Sequence, residues 1–175
     1  MSDLVSKVRS TLRDVPDFPK EGIIFKDITP VLADGMLFRE IIEAWRERYA
    51  SQNISAVVGI ESRGFIFGAA LAHALGVGLT LVRKPGKLPY NRIGVDYTLE
   101  YGTDRVEMHT DALKPGQRVV VVDDLLATGG TCGATVALVQ ELGAVVVECA
   151  FLVELGFLEG SKRLHGVPYH ALTVF

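Results

Sequence analysis

Val119-Val120-Val121-Val122-Asp123-Asp124-Leu125-Leu126-Ala127-Thr128-Gly129-Gly130-Thr131 is the stretch from which the rest of the chain can be read. Four consecutive β-branched residues predict a strand buried on both faces, the kind found in the parallel sheets of α/β proteins. Two acids follow at the predicted strand end, then a run of small residues. Val136, Val139 and Leu142 then recur at helical spacing. The pattern is a strand, an acidic edge, a glycine-rich turn and the start of a helix.

Each part has a chemical use. Small residues let backbone N–H groups converge, and the helix N-terminus behind them adds partial positive charge. Ala127, Thr128, Gly129, Gly130 and Thr131 can therefore hold a phosphate, with the two threonine hydroxyls as further donors. Asp123 and Asp124 suit a different partner, because carboxylates accept hydrogen bonds from sugar hydroxyls. Together they suggest a ribose 5-phosphate. On the residues alone a plain reading stays beside it: glycine-rich strand-to-helix turns are common, and acids at a strand end can simply be solvated. Two other loops fail as nucleotide motifs. Gly76 and Gly78 lack the third glycine of a dinucleotide fingerprint, and Gly86-Lys87-Leu88 lacks the Ser or Thr of a P-loop.

The chain has 175 residues, 49% of them hydrophobic and 22% charged, which predicts one soluble globular domain, residues 1–175, with a substantial core. A net charge of −3 without a basic stripe argues against a nucleic-acid partner. The first fifteen residues carry scattered charges and no apolar core of signal-peptide length. No segment is apolar for long enough to span a bilayer, so no membrane partner and a cytoplasmic location are expected. Cys132 and Cys149 lack metal-ligand spacing and are expected to be buried or half-buried.

Leu4, Val5, Val8 and Leu12 predict a short first helix ending before Pro16, and Asp17 to Gly22 an irregular segment. Ile23 to Pro30 should be an extended strand or a loop over the core. Leu37, Phe38, Ile41, Ile42, Trp45 and Tyr49 make the core face of a helix from about Met36 to Ala50. Further strands are expected at Ser55–Ile60 and Ala144–Val153, both buried, and at Gly78–Val82, with a last edge strand at Tyr169–Phe175. Ser55–Ile60 ends in Glu61-Ser62-Arg63-Gly64-Phe65 and Gly78–Val82 in a basic cluster, Arg83, Lys84 and Lys87. Ligands of open α/β sheets bind at the carboxyl ends of the strands, so acids, an arginine and a basic cluster should face one crevice. His73, alone among alanines, is expected to be a surface or partly packed residue. Residues 88–110 have no helical pattern and predict a protruding two-stranded lid, with strands at Tyr97–Tyr101 and Arg105–His109 and a mobile tip near Asn91–Asp96. Lys114-Pro115-Gly116-Gln117 predicts a type II turn.

With these motifs in place, the chain resembles the type I phosphoribosyltransferases through Val119–Thr131. It resembles the adenine phosphoribosyltransferases over nearly its whole length, through Val15–Pro19, Phe25–Pro30, Ser62–Phe65, Arg83–Pro89 and Leu99–Gly102. The resemblance implies an α/β, Rossmann-like fold with a mostly parallel sheet flanked by helices, a small hood at about residues 1–35 and the lid. It implies transfer of the 5-phosphoribosyl group of phosphoribosyl pyrophosphate to adenine, giving AMP and pyrophosphate in purine salvage.

Residue by residue, it implies that Asp123 and Asp124 hold the ribose hydroxyls and Ala127 to Thr131 the 5′-phosphate. Ser62, Arg63, Arg83, Lys84 and Lys87 would hold pyrophosphate, with a cis peptide at Glu61-Ser62. Many relatives carry Asp where this chain has Glu61. Arg83 is expected to reach a neighbouring subunit's site, which goes with a homodimer. Mg²⁺ would arrive on the substrate, with no direct protein ligand. Glu100 would move the proton of the purine, with Tyr101 closing the site. Ile24, Phe25, Lys26 and Leu155 would bind adenine, Lys26 standing where some relatives have arginine. A 6-oxopurine needs a donor such as lysine, and Glu154 to Leu158 contains none. Competing readings are a phosphoribosyltransferase for another base, a regulator that binds the same ligands without catalysis, and an unrelated nucleotide-binding α/β protein.

Overall fold

The computed structural model describes every residue except Met1, Glu100 and Tyr101, and only the backbone of Ser2, Thr98 and Leu99. The chain divides into two compact units, residues 1–45 and 46–175.

The first unit opens with α1, Ser2–Thr11, whose Val8 is fully buried. Strand β1, Arg13–Pro16, pairs antiparallel with β2, Ile24–Asp27. The expected extended segment is β2; β1 is an element that the sequence does not announce. Two of its four residues are charged and it ends in proline, and charges set directly opposite hold it. Arg13 faces Asp27 with Nη2 2.6 Å from the carboxylate, and Lys26 Nζ lies 2.7 Å from Asp14. The connecting loop turns on Asp17, at φ 57°, whose carboxylate accepts the Gly22 N–H at 2.8 Å, and it includes a cis Phe18-Pro19 bond. A short helix α2, Thr29–Ala33, follows. Asp34 then caps α3, Gly35–Tyr49, by accepting the Met36 and Leu37 N–H groups at 3.1 and 3.0 Å. This is the helix expected from Met36, and its end, from Arg46 on, belongs to the second unit.

The second unit is built on β3, Ala56–Ile60; β4, Gly78–Val82; β7, Arg118–Leu126; β8, Val145–Glu154; and β9, Tyr169–Val174. Their order is β4-β3-β7-β8-β9, every pair parallel, with β9 at one edge as expected. Helix α4, Gly64–Leu75, follows β3, and α5, Gly130–Glu141, follows β7. The valine run is buried throughout, and its alternation splits between two faces. Val119 and Val121 join a core with Val136, Val139 and Phe151. On the other face Val57 lies beside α4, close to Gly68. Gly116, at φ 80°, makes the turn into β7, and Gln117 N–H donates to Lys114. Cys132 and Cys149 are both buried and His73 is exposed. Among the described residues no helix is long and apolar enough to cross a membrane.

The segment expected to form the lid is a separate antiparallel hairpin, β5, Arg92–Leu99, with β6, Gly102–His109. Two expectations need correction here. The strands are longer than the sequence pattern predicts, and Asn91–Asp96 is no tip: residues from Arg92 on are paired strand, the register running from Arg92 opposite His109 to Leu99 opposite Gly102. The misleading signals were Gly94 and Asp96, both turn formers. In the hairpin they serve Arg105, whose guanidinium lies over Gly94, where a Cβ would fall 2.6 Å from Nε, and bonds Asp96 at 3.0 Å.

Candidate active site

The loop expected to hold the phosphate, Ala127–Thr131, owes its shape to residues without side chains. Gly129, at φ 77°, stands at the N-terminus of α5, and a Cβ there would strike the carbonyl of Gly160. A Cβ on Gly130 would fall 2.9 Å from the ring of Tyr97. The backbone of Ala127 to Thr131 therefore lines, with Asp123, Leu125, Leu126 and Cys132, a small cavity of about 80 Å³ at the helix N-terminus. Its shape and polarity suit a phosphate group.

Beside it lies a cavity of about 430 Å³ lined by Glu61, Ser62, Arg63, Lys84, Asp123, Asp124, Leu125 and Thr131. Three parallel strands deliver these groups: β3 leads into Glu61 to Arg63, β4 into Lys84, and β7 carries the acids. The acids are not at a strand end as expected, since β7 continues to Leu126, paired with β8 at Leu125 and Leu126. Gly64 allows α4 to approach them, because a Cβ there would lie 2.6 Å from the Val122 carbonyl and 2.9 Å from Asp123 Oδ1.

Asp124 is buried, at 4% exposure, with Arg63 Nε 2.7 Å from Oδ2. That contact is an ion pair without hydrogen-bond alignment, since Oδ2 accepts no hydrogen bond. Asp123 accepts the Asp124 backbone N–H at 2.9 Å. Burial pushes the carboxyls of both up, well up for Asp123, where the neighbouring Asp124 charge adds to it; the Arg63 guanidinium pulls against the shift in each.

The Glu61-Ser62 bond is cis. Within the chain Arg83 has Nε and Nη2 at 3.1 and 3.2 Å from Glu61 and Nη1 donating to the Lys87 carbonyl at 3.1 Å. Burial works to raise the Glu61 carboxyl, but Arg83 and the Lys84 N–H outweigh it and hold it below its usual value. Lys84 alone of the basic cluster lines the larger cavity; Lys87 is exposed. Thr128 is exposed on the phosphate loop.

Several contributors were not legible from the residue pattern. Tyr97 bonds both Lys84 and Thr131, and Asp104 pairs with Lys84. Glu107, buried, pairs with Arg92 at 2.9 Å and accepts the Gly86 N–H at 3.1 Å, while its backbone bridges Arg83, so it braces the basic loop against the hairpin. Polar residues in a strand of mixed composition carry no local mark of such long-range partners. Glu100 and Tyr101, the expected proton-transfer pair, lie outside the described residues.

Of the residues expected to bind adenine, three are in the first unit. Ile24 is exposed, Phe25 is half-buried with an edge-to-face contact to Phe18 at 5.2 Å, and Lys26 sits in β2 paired with Asp14. Leu155, in the second unit, follows β8 and donates its N–H to the Leu126 carbonyl at 2.9 Å.

A family model for the phosphoribosyl transferase domain matches residues 29–166. The adenine phosphoribosyltransferase of Syntrophotalea carbinolica is 61% identical over 157 residues, covering 90% of this chain and 92% of that one. The crystal structure of adenine phosphoribosyltransferase from Rhodothermus marinus superposes with a TM-score of 0.95 at 52% identity, covering 100% of both chains. That from Saccharomyces cerevisiae, complexed with an imino-altritol bisphosphate and adenine, gives 0.93 at 40% identity, covering 98% of this chain and 99% of that one. A five-stranded all-parallel sheet with a glycine-rich loop after β7, matched over this length, leaves one assignment: the chain belongs to the phosphoribosyltransferase family, on the branch of the adenine phosphoribosyltransferases.

Proposed function

We propose that the chain transfers the 5-phosphoribosyl group of phosphoribosyl pyrophosphate to adenine, giving AMP and pyrophosphate, as a step of purine salvage in the cytoplasm. The observation that carries this reading is the pair of adjoining cavities. One is a helix-terminus loop suited to a phosphate, and the other has carboxylates on one strand and cations just after two others.

In the reaction a ring nitrogen of adenine bonds to C1′ as the bond from C1′ to the pyrophosphate oxygen breaks. Positive charge grows on the sugar and negative charge on the leaving group. Asp123 and Asp124 accept the ribose hydroxyls, fixing C1′ between base and leaving group, and Ala127 to Thr131 anchor the 5′-phosphate. Arg63 and Lys84, with the backbone at Ser62, face the leaving group; cations fixed before the reaction lower its barrier without reorganising. Arg83 and Lys87 stand on the same loop. Glu100 takes the proton that adenine loses, and Tyr101 closes the lid. Phe25 stacks on adenine, backbone groups of Ile24 to Lys26 read its edge, and Leu155 is a further contact of the base.

Mg²⁺ belongs to the same reading. Asp123 and Asp124 are hard oxygen donors, and among the described residues no group of three or more His, Cys, Asp or Glu forms a cage. Asp123 and Asp124 would face an ion that arrives on the substrate, and when bound it would supply positive charge to the leaving group. A homodimer is also part of the proposal: the outer edge of the sheet exposes Leu79 and Leu81 of β4, with Ile66 of α4.

The test is AMP formation from phosphoribosyl pyrophosphate and Mg²⁺, with adenine, hypoxanthine, guanine and xanthine supplied separately. Turnover with adenine alone is expected. Turnover only with a 6-oxopurine overturns the base assignment, and ligand binding without turnover of any base overturns the enzyme reading.

A further inference from the structure

Lys84 faces two ways. It lines the larger cavity with Arg63, Asp123, Asp124 and Thr131, yet its ammonium is bonded to the lid hairpin, to Asp104 Oδ2 on β6 and to the Tyr97 hydroxyl on β5 at 2.6 Å. The hydroxyl is fully used. It accepts from Lys84 and from Thr131 Oγ1, the latter at 3.1 Å, and donates its one proton to Asp104 at 3.0 Å. The Tyr97 ring is buried and packs on Gly130, so this junction is fixed to the phosphate loop on one side and to the hairpin on the other. The second Asp104 oxygen accepts the Arg105 backbone N–H at 2.7 Å.

A carboxylate that neutralises a cation facing an anion site weakens that site. Here the two charges are only half-buried, at 37% side-chain exposure for Lys84 and 32% for Asp104, so they can separate without stranding a bare charge. Asp104 would keep the Tyr97 O–H and the Arg105 N–H. Lys84 would gain a phosphate oxygen.

Resting on the phosphoribosyl-transfer reading above, we propose that Asp104 is a built-in competitor of pyrophosphate for the Lys84 ammonium. Its carboxylate lowers the affinity for the leaving group and so hastens its departure. Because Asp104 rides on β6, the exchange also couples occupancy of the pyrophosphate site to the hairpin. Asp104 is thus a positioning residue that acts through Lys84 and touches no reacting atom.

The experiment is calorimetric titration of pyrophosphate with Mg²⁺ into the full chain, as wild type, Asp104→Asn, Lys84→Met and the double variant, with Asp104→Ser as a second replacement. A half-exposed ion pair contributes up to about 1 kcal/mol, so both Asp104 replacements should tighten binding by about three- to five-fold. In the Lys84→Met background the gain should nearly vanish, since the two residues are coupled. Unchanged or weaker binding in both Asp104 variants overturns the proposal. So does an equal gain without Lys84, which would make Asp104 only part of the general field. Wild-type turnover with adenine reads the parent assignment separately: with turnover present and no gain, only the competitor falls, and with neither turnover nor pyrophosphate binding both fall.

Discussion

Two adjacent carboxylates set into a buried strand are costly, and Asp123 and Asp124 show how that cost serves a site. A carboxyl whose pKa is higher folded than unfolded binds its proton more tightly in the folded chain. It favours folding below the unfolded pKa and loses that contribution as pH rises through the folded one. Both acids are raised, so at neutral pH the pair works against the fold. In the proposed reaction their value is as acceptors, and the neutral amide of Asn is a weaker partner than a carboxylate for a hydroxyl donor and for a cation. Changing both to Asn should therefore raise the unfolding temperature by about 2–4 °C, roughly 1 kcal/mol at this length. Losing the Asp124 charge costs little through Arg63, because that side chain is 42% exposed and can be solvated. Turnover should fall at least about 100-fold in kcat/KM for phosphoribosyl pyrophosphate, while direct adenine binding holds. Calorimetric melting and steady-state kinetics check both halves; a variant that melts lower and loses adenine binding as well would mark the acids as structural.

At the scale of elements, the phosphate loop is shaped as much from behind as by its own residues. Gly156–Leu158 and Gly160–Arg163 are two 3₁₀ turns after β8, and Gly160 meets the loop backbone to backbone. A Cβ on Gly160 would strike the Ala127 carbonyl and lie 2.9 Å from the Gly129 nitrogen. Backbone cannot yield as a side-chain tip can, so Gly160→Ala should displace the loop. We expect the KM for phosphoribosyl pyrophosphate to rise about ten-fold with the KM for adenine unchanged, in line with about 1–3 kcal/mol for overpacking; an unchanged KM would mean that the turns only cover the loop. This buttress was invisible in the sequence, whereas the loop was plain, and the difference is one of range. Runs such as Ala56–Ile60 and Val119–Val122 declare buried parallel strands by composition alone, and Ala127–Thr131 declares its turn by local chemistry. Gly160, Tyr97, Asp104 and Glu107 matter through partners that only the fold brings near. Likewise β1 is held by charges across a hairpin, and Gly94 with Asp96 reads as a turn until Arg105 is placed over it.

For the molecule as a whole, acid stability depends on carboxyls whose pKa values are shifted in opposite directions. Far along the sheet from the loop, Arg48 pairs with Glu148 of β8 at 2.6 and 2.7 Å, across 100 positions of sequence, and the buried Tyr49 hydroxyl donates to the same carboxylate at 2.6 Å. Burial works to raise the Glu148 carboxyl, but Arg48 and Tyr49 outweigh it and hold it below its ordinary value. A depressed carboxyl contributes stability above its unfolded pKa and loses it as pH falls through the folded one, the reverse of the Asp123–Asp124 pair. As pH drops from neutral, the chain should therefore first gain stability, as the raised aspartates take up protons. It should lose stability only at more acid pH, as Glu148 is protonated and the clamp on α3 opens. Glu148→Gln should cost about 2 kcal/mol at neutral pH, less than for a fully buried pair because Arg48 is 39% exposed, and should flatten the acid limb. Replacing Asp123 and Asp124 by Asn should instead remove the initial gain and leave the acid limb in place. Melting temperatures across pH for the three proteins decide it. Identical profile shapes would show that neither group governs the pH response, and a wild-type profile that falls steadily from neutral pH would contradict the sign assigned to the aspartates.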